Sequence, residues 1–164
     1  MQLSPEIVSF VGRLVSEKRI YPQSTLNVEN SGAHGSFLEK RYIENCHGKC
    51  QADIPGVLEY KTHNSDGTSN AISLAKFSQP INEFKKSATT QVEEKIQYGL
   101  VLDEYVLDDS VIVREKVTAF TDLASDWKDY LIYRPKQKPD GEFSYSVLKE
   151  NLKFMYNYWE KSDV

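Results

Sequence analysis

The chain has few of the residues that build disulfide or zinc frameworks, with two cysteines and three histidines among 164 residues. It contains no apolar run approaching the roughly 20 residues of a membrane-spanning helix. Its N-terminus shows no basic segment followed by an apolar stretch and a cleavage site. Internal repeats, a glycine-rich phosphate-binding loop and a Ser/His/Asp nucleophile arrangement are also missing. The lack of a membrane-spanning run and of a signal sequence predicts a cytoplasmic protein that makes no membrane contact.

The two cysteines lie close together, as Cys46 and Cys50 on either side of His47. A structural zinc site needs four ligands, and no second Cys/His pair is near in the sequence. We therefore interpret both cysteines as reduced, non-catalytic thiols.

Composition is that of an ordinary globular protein, with 40% apolar and 27% charged residues. A chain of this length can bury roughly two thirds of its unfolded surface, so we expect a single compact domain over residues 1–164. The net charge is −4, which disfavours nonspecific attraction to a polyanion. Local basic clusters at Lys40-Arg41, Lys85-Lys86 and residues 134–138 are either solvated faces or contacts for an anionic partner.

Periodicity predicts a mixed central sheet flanked by helices, an α/β (α+β) fold. Ser4-Pro5-Glu6 is a helix start, and apolar residues then recur at helical spacing. Further helices are predicted from Ser36, over Asn82–Gln97 and along the apolar stripe from Tyr145 to Trp159. Strands are predicted over residues 57–63 and 71–77, which would form a hairpin, and over 100–105, 110–120 and 130–133. The intermixed charges of 110–120 favour a sheet edge.

Residues 53–63 are the most informative stretch, because a short apolar run there carries two charges. Alternate residues of a strand face the same way, so Glu59 and Lys61 would share one face with Val57. Burying a carboxylate and an ammonium in a strand is costly unless an ion, a substrate or water meets them. This pattern indicates a site, although a surface hairpin with a simple ion pair is the alternative.

Metal-assisted phosphodiester hydrolysis uses these residue types at this spacing. Asp53, just before the Pro55-Gly56 turn, can converge with Glu59 on a hard divalent cation, which prefers oxygen ligands. Lys61 would then orient the attacking water and hold the scissile phosphate, while the cation lowers the pKa of the water and offsets developing charge.

A family resemblance extends this pattern upstream, through a Gly-x-x-x-Glu formed by Gly35 and Glu39. Together with Asp53 and the Glu-x-Lys-Thr-His that begins at Glu59, it resembles the MutH-like branch of the PD-(D/E)xK nucleases, which includes MvaI- and BcnI-type restriction endonucleases. The likeness covers roughly residues 31–99. The chain is shorter than those enzymes usually are, and Ala52 replaces the proline of the family name, which is not a ligand.

The resemblance implies a restriction-endonuclease-like core and a Mg²⁺-dependent endonuclease, with Mn²⁺ as a substitute ion, that cleaves or nicks double-stranded DNA at a short target sequence. Asp53 and Glu59 would be the metal ligands, Lys61 the catalytic lysine and Glu39 a supporting carboxylate. Glu39 also fits a capping box with Ser36, which is a purely structural role. The expected contacts to DNA are basic residues near this stretch, His34, His63 and Lys76.

Two other functions fit the same sequence. The compact length suits a structure-selective nuclease that acts on junctions or in repair. The acidic balance suits a non-catalytic binding protein, such as a DNA mimic or a degenerate nuclease.

Overall fold

The computed structural model describes residues 2–17, 42–43, 52–65, 70–77, 81–108, 111–135 and 143–163. Within these ranges no helix is both long and apolar enough to cross a membrane. The predicted loop at 20–35, the predicted helix from Ser36 and the cysteine segment 46–50 lie outside them.

The described chain is mostly strands, with three helices and two short 3-10 turns. The helices are α1 (Pro5–Ser16), α2 (Ile81–Ile96) and α3 (Leu152–Met155), and the 3-10 turns are Trp127–Tyr130 and Lys149–Asn151. The strands are β1 (Glu59–Asn64), β2 (Ala71–Phe77), β3 (Leu100–Asp108), β4 (Val111–Leu123), β5 (Ile132–Pro135), β6 (Phe143–Leu148) and β7 (Tyr156–Asp163).

Two sheets organise these strands. The larger sheet has the order β1-β3-β4-β7, in which β1 runs parallel to β3 and the other pairs are antiparallel. The smaller sheet is antiparallel with the order β2-β6-β5. The mixed sheet predicted from the sequence is therefore confirmed, and β1 lies at its edge.

Helix α1 covers one face of the larger sheet. The Ser4 hydroxyl accepts a hydrogen bond from the Ile7 amide at 3.3 Å, which caps the helix as predicted. Ile7, Phe10 and Leu14 then pack in one cluster with the apolar side chains that this sheet face presents, among them Leu58, Tyr60, Val101, Val117 and Ala119.

The opposite face of the larger sheet carries a second core. Leu100, Leu102 and Phe120 pack there with Val92 and Ile96 of α2, with the smaller sheet and with the segment that leads into β7. Charged side chains are also buried within this sheet, among them Asp103, which is fully buried in the middle of β3.

Two predictions of arrangement are wrong. Strands β1 and β2 are not a hairpin, because β1 pairs with β3 and β2 belongs to the smaller sheet. Strand β4 is interior, between β3 and β7. Its Lys116 is tolerated because it lies beside Glu104 of β3 and forms an ion pair with that carboxylate.

The predicted C-terminal helix is also wrong, so helices do not flank the strands at both ends. Strand β6 and strand β7 occupy most of 145–159, and only Leu152–Met155 is α-helical. The aromatic residues at 143, 145, 156, 158 and 159 favour extended backbone, and strand pairing outweighs a stripe that also fits helical spacing. Strand β5 begins at Ile132, two residues after the predicted start, because Tyr130 closes a 3-10 turn.

Candidate active site at the start of β1

The Pro55-Gly56 turn folds the chain back so that residue 53 lies beside β1. Ile54 and Leu58 form an isolated antiparallel bridge with amide-to-carbonyl distances of 3.0 and 3.1 Å. Gly56 has φ of +75°, a left-handed conformation that glycine adopts without steric cost. The turn thereby places Asp53 next to Glu59.

Asp53 and Glu59 are held by reciprocal hydrogen bonds. The Asp53 amide donates to Glu59 Oε1 at 3.1 Å, and the Tyr60 amide donates to Asp53 Oδ2 at 2.9 Å. Since β1 is an edge strand, the Tyr60 amide would otherwise face away from the sheet, and the Asp53 carboxylate satisfies it. The Glu59 amide donates in the other direction, to the Gly99 carbonyl at 2.9 Å. Both carboxylates are therefore fixed by backbone.

Lys61 lies on the same face of β1 as Glu59, as alternation predicts. Its Nζ is 3.8 Å from Glu59 Oε2, the oxygen that does not accept the Asp53 amide. The Glu59 side chain is 3% exposed and that of Lys61 25% exposed. The carboxylate is thus sealed in protein while the ammonium reaches solvent.

Burial dominates the electrostatics of this cluster. It raises the pKa of Glu59 to about 8, against the opposing positive charge of Lys61 and with a further increase from the hydrogen bond and negative charge of Asp53. The positive charge of Lys95 on α2 also lowers this pKa. A buried carboxyl group beside a second carboxylate is a group whose ionised form a cation would stabilise strongly.

The donor set fits a hard divalent cation in part. Two carboxylates converge from the turn and from β1, and oxygen donors are what such ions prefer. In the part of the chain that the structure describes, no group of three or more His, Cys, Asp or Glu residues is placed to hold a metal ion. Glu39, the expected third carboxylate, and His34 lie outside the described residues.

The other predicted contacts are placed differently. His63 lies on β1 two residues beyond Lys61, on the same face, and pairs in register with Glu104 of β3. The Lys76 backbone lies in the smaller sheet opposite Ser144. The structure therefore places Glu59, Lys61 and His63 along one edge strand, with Asp53 beside it.

Two features of the surroundings were not predicted. Lys95 acts on Glu59 from the last turn of α2, and nothing in the sequence separates this lysine from the other charges of a polar helix. A cavity of about 330 Å³ opens beside Asp53, with Phe10 and Arg13 of α1 and Tyr42 among its walls. Only the tertiary approach of α1 to the turn creates this cavity.

In comparisons with known proteins, no family model matches the chain, and no curated protein matches it significantly.

Proposed function

We propose that the protein is a Mg²⁺-dependent endonuclease that hydrolyses phosphodiester bonds in double-stranded DNA. The observation that carries this proposal is the convergence of Asp53, Glu59 and Lys61 at the start of an edge strand. A mixed sheet with α1 and α2 on opposite faces is the framework that a restriction-endonuclease-like core would need. That core and restriction or nicking at a short target sequence are part of the proposal.

The two carboxylates would hold the ion between the turn and β1. Bound there, Mg²⁺ would supply charge that offsets the transition state and lowers the pKa of a water. Asp53 Oδ2 accepts the Tyr60 amide, which orients the carboxylate for this role. Glu59 keeps Oε2, which already faces a cationic side chain.

Lys61 would contact the substrate. Its ammonium lies beside Glu59 and is partly exposed, so it can donate to the attacking water and to an oxygen of the scissile phosphate from a fixed position. Lysine binds phosphate as a compact point charge, which suits an anion that approaches from solvent. The backbone hydrogen bonds that hold both carboxylates keep the cluster ordered before substrate arrives.

A plasmid cleavage assay tests this function. Wild-type protein is incubated with supercoiled plasmid in Mg²⁺ and in EDTA, beside Lys61→Ala and Glu59→Ala. We expect nicked or linear product in Mg²⁺ only, and a loss of at least a hundredfold in rate for both variants. Lys128→Ala, which removes an exposed lysine from the 3-10 turn Trp127–Tyr130, is the matched control and should cut normally. Undiminished cleavage by either site variant would refute the assignment.

A non-catalytic binding protein is the second candidate, and the pKa of Glu59 favours it. With a pKa of about 8, the Glu59 carboxyl group is mostly neutral at pH 7 in the absence of a cation, and a neutral carboxyl group attracts Mg²⁺ weakly. Such a protein would bind its partner equally well in Mg²⁺ and in EDTA, and Lys61→Ala would leave no activity to lose.

A further inference from the structure

A second site lies on the same sheet face, some distance from the carboxylates. A pocket of about 210 Å³ opens there between the middle of β3, β4 and β7 and the segment Lys149–Lys153. Four lysines line it, against two glutamates: Lys116, Lys149, Lys153 and Lys161. The pocket is therefore locally basic in a chain whose net charge is −4.

The buried carboxylate of Glu104 forms ion pairs with two of these lysines. It contacts Lys149 Nζ at 3.2 Å through Oε1 and Lys116 Nζ at 3.7 Å through Oε2. One carboxylate thus holds two ammonium groups side by side, leaving their combined charge positive. This arrangement orients the lysines instead of neutralising them.

The other two lysines stand on the rim of the pocket. Lys153 and Lys161 are exposed, and among the described residues neither forms an ion pair. Lys153 Nζ lies 5.3 Å from the centre of the Phe154 ring, a contact that leaves its charge available. Both charges can therefore be met by an anion from solvent.

Trp159 adds a flat apolar surface beside the rim. It lines the pocket and is 46% exposed, an uncommon exposure for the largest aromatic side chain. A basic pocket would attract any polyanion, but an exposed indole next to it offers a stacking platform for a planar base. The combination of lysines and tryptophan is typical of surfaces that bind a nucleic-acid strand.

Sheet register connects this pocket to the carboxylate cluster. Lys61 pairs with Leu102, Leu102 with Thr118 and Thr118 with Lys161, so Lys61 and Lys161 stand in one row on the same face. Three strand spacings separate them, roughly 14 Å. In the next row His63 lies beside Glu104, which holds the two inner lysines. Leu102 and Thr118 in this row are buried, so a strand that meets both sites would pass over the elements that cover them.

We propose that this pocket binds the phosphate backbone of a nucleic-acid strand, with one base stacked on Trp159. The pocket stands on its own charges and geometry, whereas its role in presenting an unpaired strand of the DNA substrate to Lys61 rests on the proposed nuclease function. The partner is a nucleic acid and not a free phosphate or a sulfated polysaccharide, because only a nucleic acid offers both phosphates and bases.

The test measures binding of a fluorescein-labelled 12-nucleotide DNA strand by anisotropy in EDTA, where metal-dependent cleavage is blocked. The double variant Lys153→Ala/Lys161→Ala should weaken binding about tenfold or more, and Trp159→Ala should also weaken it about tenfold. The control variant Lys128→Ala removes an exposed basic group outside the pocket and should bind normally. Unchanged affinity in both the double variant and Trp159→Ala would overturn the proposal.

Two competitors identify the ligand class. Inorganic phosphate at millimolar concentration should displace little DNA, and heparin should compete equally against wild type and Trp159→Ala because it has no base to stack. Heparin affinity that falls with Trp159→Ala as much as DNA affinity does would overturn the assignment to nucleic acid. Pocket-dependent binding without any cleavage would support this inference and refute the nuclease function. Cleavage without pocket-dependent binding would refute this inference and support the nuclease function.

Discussion

Glu59 illustrates how a single side chain can be both well held and electrostatically costly. Its Oε1 accepts the Asp53 amide, its Oε2 faces Lys61, and its own amide extends the pairing of β1 with β3. These contacts do not repay the loss of hydration, because the pKa of the carboxyl group is still raised to about 8. Without a bound metal ion, the Glu59 carboxyl group therefore stays mostly protonated up to about pH 8.

This raised pKa predicts how stability depends on pH. The folded state holds the Glu59 proton up to about pH 8, whereas the unfolded state releases it near the ordinary value of 4.5. Stability from this group is fully present below pH 4.5 and is lost as pH rises to about 8, by an amount on the order of a few kcal/mol. Glu59→Gln removes the ionisation, so its free energy of unfolding should fall less over that range.

Urea denaturation in EDTA at pH 5, 6, 7 and 8 measures this effect. The exposed Glu150→Gln is the control and should keep the pH dependence of the wild type. Parallel curves for wild type and Glu59→Gln would show that Glu59 does not carry the effect.

At the scale of elements, the sequence predicts what short-range patterns determine. The alternation of Glu59 and Lys61 predicts their shared strand face, and the Ser4-Pro5 start predicts α1, because both depend on neighbours a few residues away. The partner of β1 could not be predicted. Strand β3 follows β1 only after β2 and α2, so its pairing with β1 depends on contacts between residues far apart in the sequence. The lysines held by Glu104 come from different strands and turns, so no spacing in the sequence reveals their pocket.

The C-terminal segment shows the opposite failure, in which a local pattern misleads. Leu152 and Met155 are buried at helical spacing and do lie in one helical turn, α3. On either side, Tyr145 and Trp159 pair with Tyr133 and Phe120 across strands. The helical periodicity extends over this single turn only. The pairing of β6 and β7 with neighbouring strands determines the structure of the flanking residues.

Gly99 is the point where α2 leads into β3 and where the candidate site is fixed to the sheet. A Cβ there would lie 2.8 Å from Ile7 Cδ1, 3.1 Å from the Phe120 carbonyl and 3.3 Å from the Val57 carbonyl. Two of these atoms are backbone and cannot yield easily. Gly99→Ala should therefore destabilise the fold by about 1–3 kcal/mol and displace β1, which pairs here through Glu59.

Gly12→Ala is the matched control for this substitution. It lies within α1, where an added Cβ meets nothing within 4 Å, so it should be neutral or stabilise the protein by up to about 1 kcal/mol. Chemical denaturation of both variants gives the comparison. Equal stabilities would mean that the Gly99 neighbours relax around the added methyl group.

For the whole molecule, the larger sheet is the element that both cores share. Leu14 belongs to the core beneath α1, and Trp127 belongs to the core on the other face. Strands β3 and β4 contribute buried side chains to each of them in alternation, such as Val101 and Leu102. Loss of one core should therefore remove one wall of the other, which predicts that the described elements unfold as one unit.

Leu14→Ala tests this coupling from the face opposite to the probe. Leu14 is fully buried, so truncation should cost about 2–5 kcal/mol. If the sheet couples the two cores, unfolding followed by tryptophan fluorescence shifts to lower denaturant together with the far-ultraviolet circular dichroism, although neither tryptophan belongs to the Leu14 core. Val8→Ala, on the same helix at a position 53% exposed, should shift neither signal appreciably. A fluorescence transition that stays in place while the circular dichroism shifts would mean that the α1 side unfolds separately. The candidate site, which depends on the α1 side through Tyr60, would then be less stable than the lysine pocket.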